Sequence, residues 1–130
     1  MKAAYLFLCT ACAVASCSHA DYESDYLPSP STHYFIKTSV NRSISRRKDY
    51  ALIKLHLYQS KIQHLDSLTT DASDVMAWAV TWVAPDTIAL YSSDVGTQAW
   101  MIAQQKFQPV KVTSIIQQKA ASAYKEKYHK

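Results

Sequence analysis

At 130 residues, with 48% hydrophobic and 18% charged side chains, the chain is sized for one domain with one core and is too apolar to stay unfolded. Its formal net charge of +4 is mild and its basic residues are spread along the chain without a known nucleic-acid-binding module, so nucleic acid is not an expected partner. Gly96 is the single glycine, which argues against the glycine-rich loops that cradle phosphates or dinucleotides, and no cofactor is expected.

Met1 and Lys2 supply a short positive region. Ala3 to Val14 is an apolar run long enough for the core of an export signal but too short to cross a bilayer as a stable helix. The run closes in Val14-Ala15-Ser16-Cys17: an aliphatic residue, two small residues and a cysteine. This ending resembles the lipobox of bacterial lipoproteins. The resemblance implies that residues 1–16 are removed as a signal peptide, that the Cys17 thiol carries a diacylglycerol, and that the new amino terminus is acylated, commonly with palmitate. Ser18, in the position where aspartate would favour inner-membrane retention, implies the outer membrane, facing the periplasm. The competing reading is cleavage after Ser18-His19-Ala20, which would leave a secreted or soluble periplasmic protein starting at Asp21. Cysteine placement favours lipidation, because Cys9, Cys12 and Cys17 all lie in the signal region and leave the mature domain without a disulfide.

Residues 17–31 are expected to form the lipidated N-terminus and a solvated tether, with Pro28 and Pro30 holding it extended. Residues 32–130 are then a single domain. Thr32 to Val40 is rich in aromatic and β-branched residues and reads as a strand, followed by a basic loop from Asn41 to Lys48. In Asp49 to Ser60, Ala51, Ile53, Leu55 and Leu57 alternate with Tyr50, Lys54, His56 and Tyr58, the period of a half-buried strand. Residues 61–74 read as a loop with one helical turn.

Met76, Trp78, Val80 and Trp82 share one face of a strand, and Ala84-Pro85-Asp86 turns it into a second strand from Thr87 to Tyr91. The turn Ser92 to Gly96 leads into Thr97 to Ile102, and Pro109 to Thr113 is the expected third hairpin partner. From Ser114, read as N-cap, Ile115, Ile116, Ala120, Ala123, Tyr124 and Tyr128 recur at helical spacing, with Lys125, Lys127 and Lys130 suited to the helix C-terminus. The expected fold is α+β: an antiparallel β-meander of five or six strands with a C-terminal amphipathic helix packed on one face.

His19, His33, His56, His64 and His129 include no pair at the spacing that places two imidazoles on one helix face, and His56 and His64 are expected at opposite ends of a strand and loop, so no metal site is expected. Ser92-Ser93-Asp94 crowds two hydroxyls and a carboxylate beside Gly96. A hydrolase using Ser93 or Asp94 would need a base such as His33 or His56 brought there by the fold, whereas an Asx or Ser turn explains the same residues structurally. No catalytic residues are therefore expected. The face carrying Tyr50, Lys54, His56 and Tyr58, beside the basic residues Arg46 and Arg47, is the first candidate surface for a protein partner. The turn Ser92, Ser93, Asp94 and Gly96 is the second. The expected role is a small envelope lipoprotein that binds a toxin, an enzyme or an envelope complex, foremost as an immunity or inhibitor protein, with an envelope assembly or maintenance accessory as the alternative.

Overall fold

A computed structural model describes residues 22–41, 50–60 and 63–128. Its strands are β1 (Tyr22–Glu23), β2 (Leu27–Pro28), β3 (Phe35–Val40), β4 (Leu52–Tyr58), β5 (His64–Ser73), β6 (Trp78–Ala84), β7 (Thr87–Ser92), β8 (Gly96–Ala103) and β9 (Lys106–Pro109), followed by the helix α1 (Ser114–Tyr128). The fold is α+β and every strand pair is antiparallel. Among the described residues the strands number nine and divide between two sheets, where the sequence suggested one meander of five or six. One sheet, here sheet A, runs β1-β3-β4-β5 with β2 also on β3; the other, sheet B, runs β6-β7-β8-β9.

The two sheets face each other across the main core. Ile36, Ile53, Leu55 and Leu57 from sheet A meet Ile88, Leu90, Trp100, Ile102 and Phe107 from sheet B, with Leu55 and Leu90 fully buried. The alternation over Ala51 to Tyr58 is the direct cause on one side, since odd positions point inward and even ones outward. Trp78, Val80 and Trp82 pack on this core as their shared face requires, while Met76 lies before β6 and is exposed.

The outer face of sheet B is covered by α1. There the strands present the small residues Ala89 and Ala99, and the helix presents Ala120, buried to 1%, with Ile116 beside it. Small side chains on both surfaces let the helix lie close to the sheet. The helix is capped one residue earlier than expected: Thr113 Oγ1 accepts the Ile116 N–H at 3.2 Å.

Several local expectations give way. Residues 64–73, read as loop, form the longest strand, and part of the stretch read as tether runs along β3 as β1 and β2. The last hairpin closes earlier, with β9 at Lys106–Pro109 instead of Pro109 to Thr113. Its two-residue turn uses Gln104 and Gln105, both left-handed at φ 54° and 64°. By contrast Gly96, at φ 80°, occupies the turn position that its freedom suggested.

Candidate functional site

The outer face of sheet A is not the face on which the helix packs. Odd positions of β3 and even positions of β4 share it, so the register Phe35↔Tyr58, Lys37↔His56 and Ser39↔Lys54 lines six side chains up across the strand pair. Residues after β1 bring Tyr26 over the same surface. Its ring meets Phe35 at 6.2 Å and Tyr58 at 5.2 Å, both edge to face, and Tyr58 meets His64 at 5.3 Å. Lys37 Nζ lies 4.7 Å from the centre of the Tyr26 ring and forms an ion pair with Glu23 of β1. The Glu23 hydrogen bond is the main reason that the Lys37 amine titrates above its ordinary value, with burial acting against it and the Glu23 charge adding to it.

A chain of side-chain hydrogen bonds crosses this surface. Ser39 Oγ is 2.7 Å from His56 Nε2, His56 Nδ1 is 2.9 Å from Ser67 Oγ, and the same hydroxyl is 2.8 Å from His64 Nε2. His56 and His64 thus lie side by side with ring centres 6.1 Å apart, where separation had been expected. The cause is β5: read as a loop, it gave no reason to pair Ser67 with His56 or His64 with Tyr58, as the observed register does. Burial, then the nearby Lys54 and His64, hold the His56 imidazole below its ordinary pKa and favour its neutral form. Burial likewise raises the Tyr58 phenol.

Of the residues selected from sequence, Lys54, His56 and Tyr58 come together here. Tyr50 is half-buried just before β4. Arg46 and Arg47 lie outside the described residues. Tyr26, Phe35, Lys37, Ser39, His64 and Ser67 were not selected. The period-two pattern of β3 was the available signal for Phe35, Lys37 and Ser39; for Tyr26, inside a presumed tether, there was none.

The turn after β7 is occupied structurally. Ser92 is 1% exposed, and its Oγ donates to Asp94 and accepts the Val95 N–H. The second Asp94 oxygen accepts the Ser73 N–H at 3.1 Å, which ties the turn to the end of β5. Partial burial opposes ionisation of Asp94, but these hydrogen bonds together hold its carboxyl below the ordinary range. Ser93 bonds to the Ala77 carbonyl. His56 is committed to Ser39 and Ser67, so it is not the base for this turn. The Ser39–His56 contact has the geometry of a nucleophile and base, but Ser39 is only 6% exposed, which shields its hydroxyl from a substrate.

Among the described residues, no group of three or more His, Cys, Asp or Glu converges, and no helix is long and apolar enough to cross a membrane. A shallow groove of about 300 Å³ runs between the β1–β2 segment, β6 and the end of α1, lined by Tyr22, Leu27, Trp78 and Lys127 among others; it includes none of the residues selected from sequence. Comparison with protein-family models, characterised proteins and solved structures returns no match.

Proposed function

We propose that the protein is a lipid-anchored envelope protein that binds another protein through the outer face of sheet A, as an inhibitor or immunity protein toward a toxin or lytic enzyme. The observation that carries the reading is the connected run of aromatic rings on that face, Phe35, Tyr26, Tyr58 and His64, with the exposed Lys54 amine nearby. Rings held by edge-to-face contacts lose little conformational freedom on binding and supply large contact areas, and a flanking lysine favours a partner with acidic groups around an apolar centre. The anchor reading rests on the Cys17 motif and the outer-membrane reading on Ser18, both outside the described residues.

The test is recovery of bound protein from envelope extracts with the detergent-solubilised full chain, compared across variants. Tyr58→Ala or Tyr26→Ala should weaken capture by about 1–3 kcal/mol while the fold is kept. Capture that is unchanged in the Tyr26→Ala/Tyr58→Ala double variant but lost in a folded Asp94→Ala variant would move the interface to the turn. Fatty-acid labelling tests the anchor: Cys17→Ser should take up none.

A further inference from the structure

Ser67 Oγ stands between two imidazole nitrogens, His56 Nδ1 at 2.9 Å and His64 Nε2 at 2.8 Å. A hydroxyl has one proton, so Ser67 donates to one ring and accepts an N–H from the other. The hydroxyl therefore marks the point toward which both ring nitrogens are aimed from adjacent strands. We propose that this point is a divalent transition-metal site in which His56 and His64 are the protein ligands, with the Ser67 side chain rotated away and water completing the coordination.

Three features favour it. His56 Nε2 already has a partner in Ser39 Oγ at 2.7 Å. When Nδ1 binds a metal, the ring proton resides on Nε2 and is donated to Ser39, the outer contact that fixes ring orientation in histidine-bound metal centres. Tyr58 packs edge-on against the His64 ring at 5.3 Å and limits its swing. The two ligands come from paired strands, His56 of β4 opposite Ser67 of β5 and His64 of β5 opposite Tyr58, so the strand register fixes their spacing. Two imidazoles without a carboxylate at the point of convergence select Zn(II), Ni(II) or Cu(II) over Ca(II) or Mg(II). Closing from hydrogen-bond distance to metal–nitrogen bonds of about 2.0–2.1 Å requires a small approach of the two rings, which the exposed His64 can supply. The site stands on this geometry and does not depend on the protein partner proposed above.

The probe is Zn(II) alone, titrated into the full chain in detergent while the histidine ring nitrogens are followed by NMR. The His56 and His64 resonances should shift together and saturate at a single ion per chain, with no response to Mg(II). His64→Gln, a change at an exposed position, should abolish the saturable shift, and Ser39→Ala should weaken binding by about tenfold with the fold retained by circular dichroism. Zinc that binds His64→Gln as well as the parent, or that shifts His33 and leaves the pair unmoved, overturns the proposal.

Discussion

The outer faces of the two sheets solve the same problem in opposite ways. On sheet B the strands offer Ala89 and Ala99, and a helix fills the space with Ala120 and Ile116. On sheet A the outward positions carry tyrosine, phenylalanine, lysine, histidine and serine, which engage one another across the surface. Small apolar side chains invite a covering layer because they leave contact area unfilled close to the backbone. Large polar and aromatic ones complete their contacts side by side and keep a tip toward water. One face is covered by the chain's own helix, and the other is a network of rings and hydrogen bonds between its own side chains.

The largest effect should come from the layer that both faces share. Leu55→Ala opens a cavity between the sheets and should cost about 2–5 kcal/mol, read as a drop in the urea midpoint. Next, enlarging the covered face should push the helix away: Ala99→Leu should cost about 1–3 kcal/mol, with faster hydrogen exchange throughout Ser114–Tyr128. The equivalent enlargement on the open face, Thr69→Leu, should stay within about 0.5 kcal/mol because Thr69 is exposed. Equal losses at the two positions would erase the distinction between the faces.

A change at the β8–β9 hairpin tip, on neither face, gives a smaller effect of opposite sign. Gln105 is left-handed, and Gln105→Gly should stabilise by about 0.5–1 kcal/mol in thermal unfolding, the relief of a left-handed side chain exceeding the added flexibility of the unfolded chain. Last is a gradual dependence on pH. The His56 imidazole titrates lower in the fold than in the unfolded chain, so its contribution is fully present above an unfolded value of about 6.5 and is lost as pH falls through it, levelling off below the folded value. Urea midpoints measured across that range should show this slope, and His56→Gln should flatten it.

What the sequence revealed tracks how local the cause was. The β4 alternation, the Pro85-Asp86 turn, Gly96 and the helical spacing from Ile116 to Tyr124 each act within a few residues, and all appear in the structure. Strand β5 was hidden because Asp66 and Asp71 disfavour a strand on their own. Their reasons lie on sheet B: Asp66 accepts the Phe107 N–H at 3.0 Å, and Asp71 accepts from Gln98 Nε2. The β9 boundary was hidden by a turn built from glutamines instead of Asn-Gly. A third of the candidate site was legible through Lys54, His56 and Tyr58, and the period-two pattern of β3 offered Phe35, Lys37 and Ser39 as well. His64, Ser67 and Tyr26 depended on β5 and on the N-terminal segment folding back, and pairing between distant segments leaves no trace in residue spacing.

The end of the helix does more than cover a sheet. Tyr128 accepts the Trp78 N–H at 3.1 Å and donates to the Trp78 carbonyl at 3.0 Å, Lys127 binds the same carbonyl at 2.7 Å, and Lys119 reaches the Val83 carbonyl at 3.0 Å. Strand β6 is the margin of sheet B, and these side chains answer its backbone near both ends as an added strand would. The phenol mimics a neighbouring peptide group, and the two ammonium groups place positive charge where another copy would have to dock. With backbone groups near both ends of β6 already occupied and two ammonium groups beside them, pairing of a second strand along that edge is disfavoured.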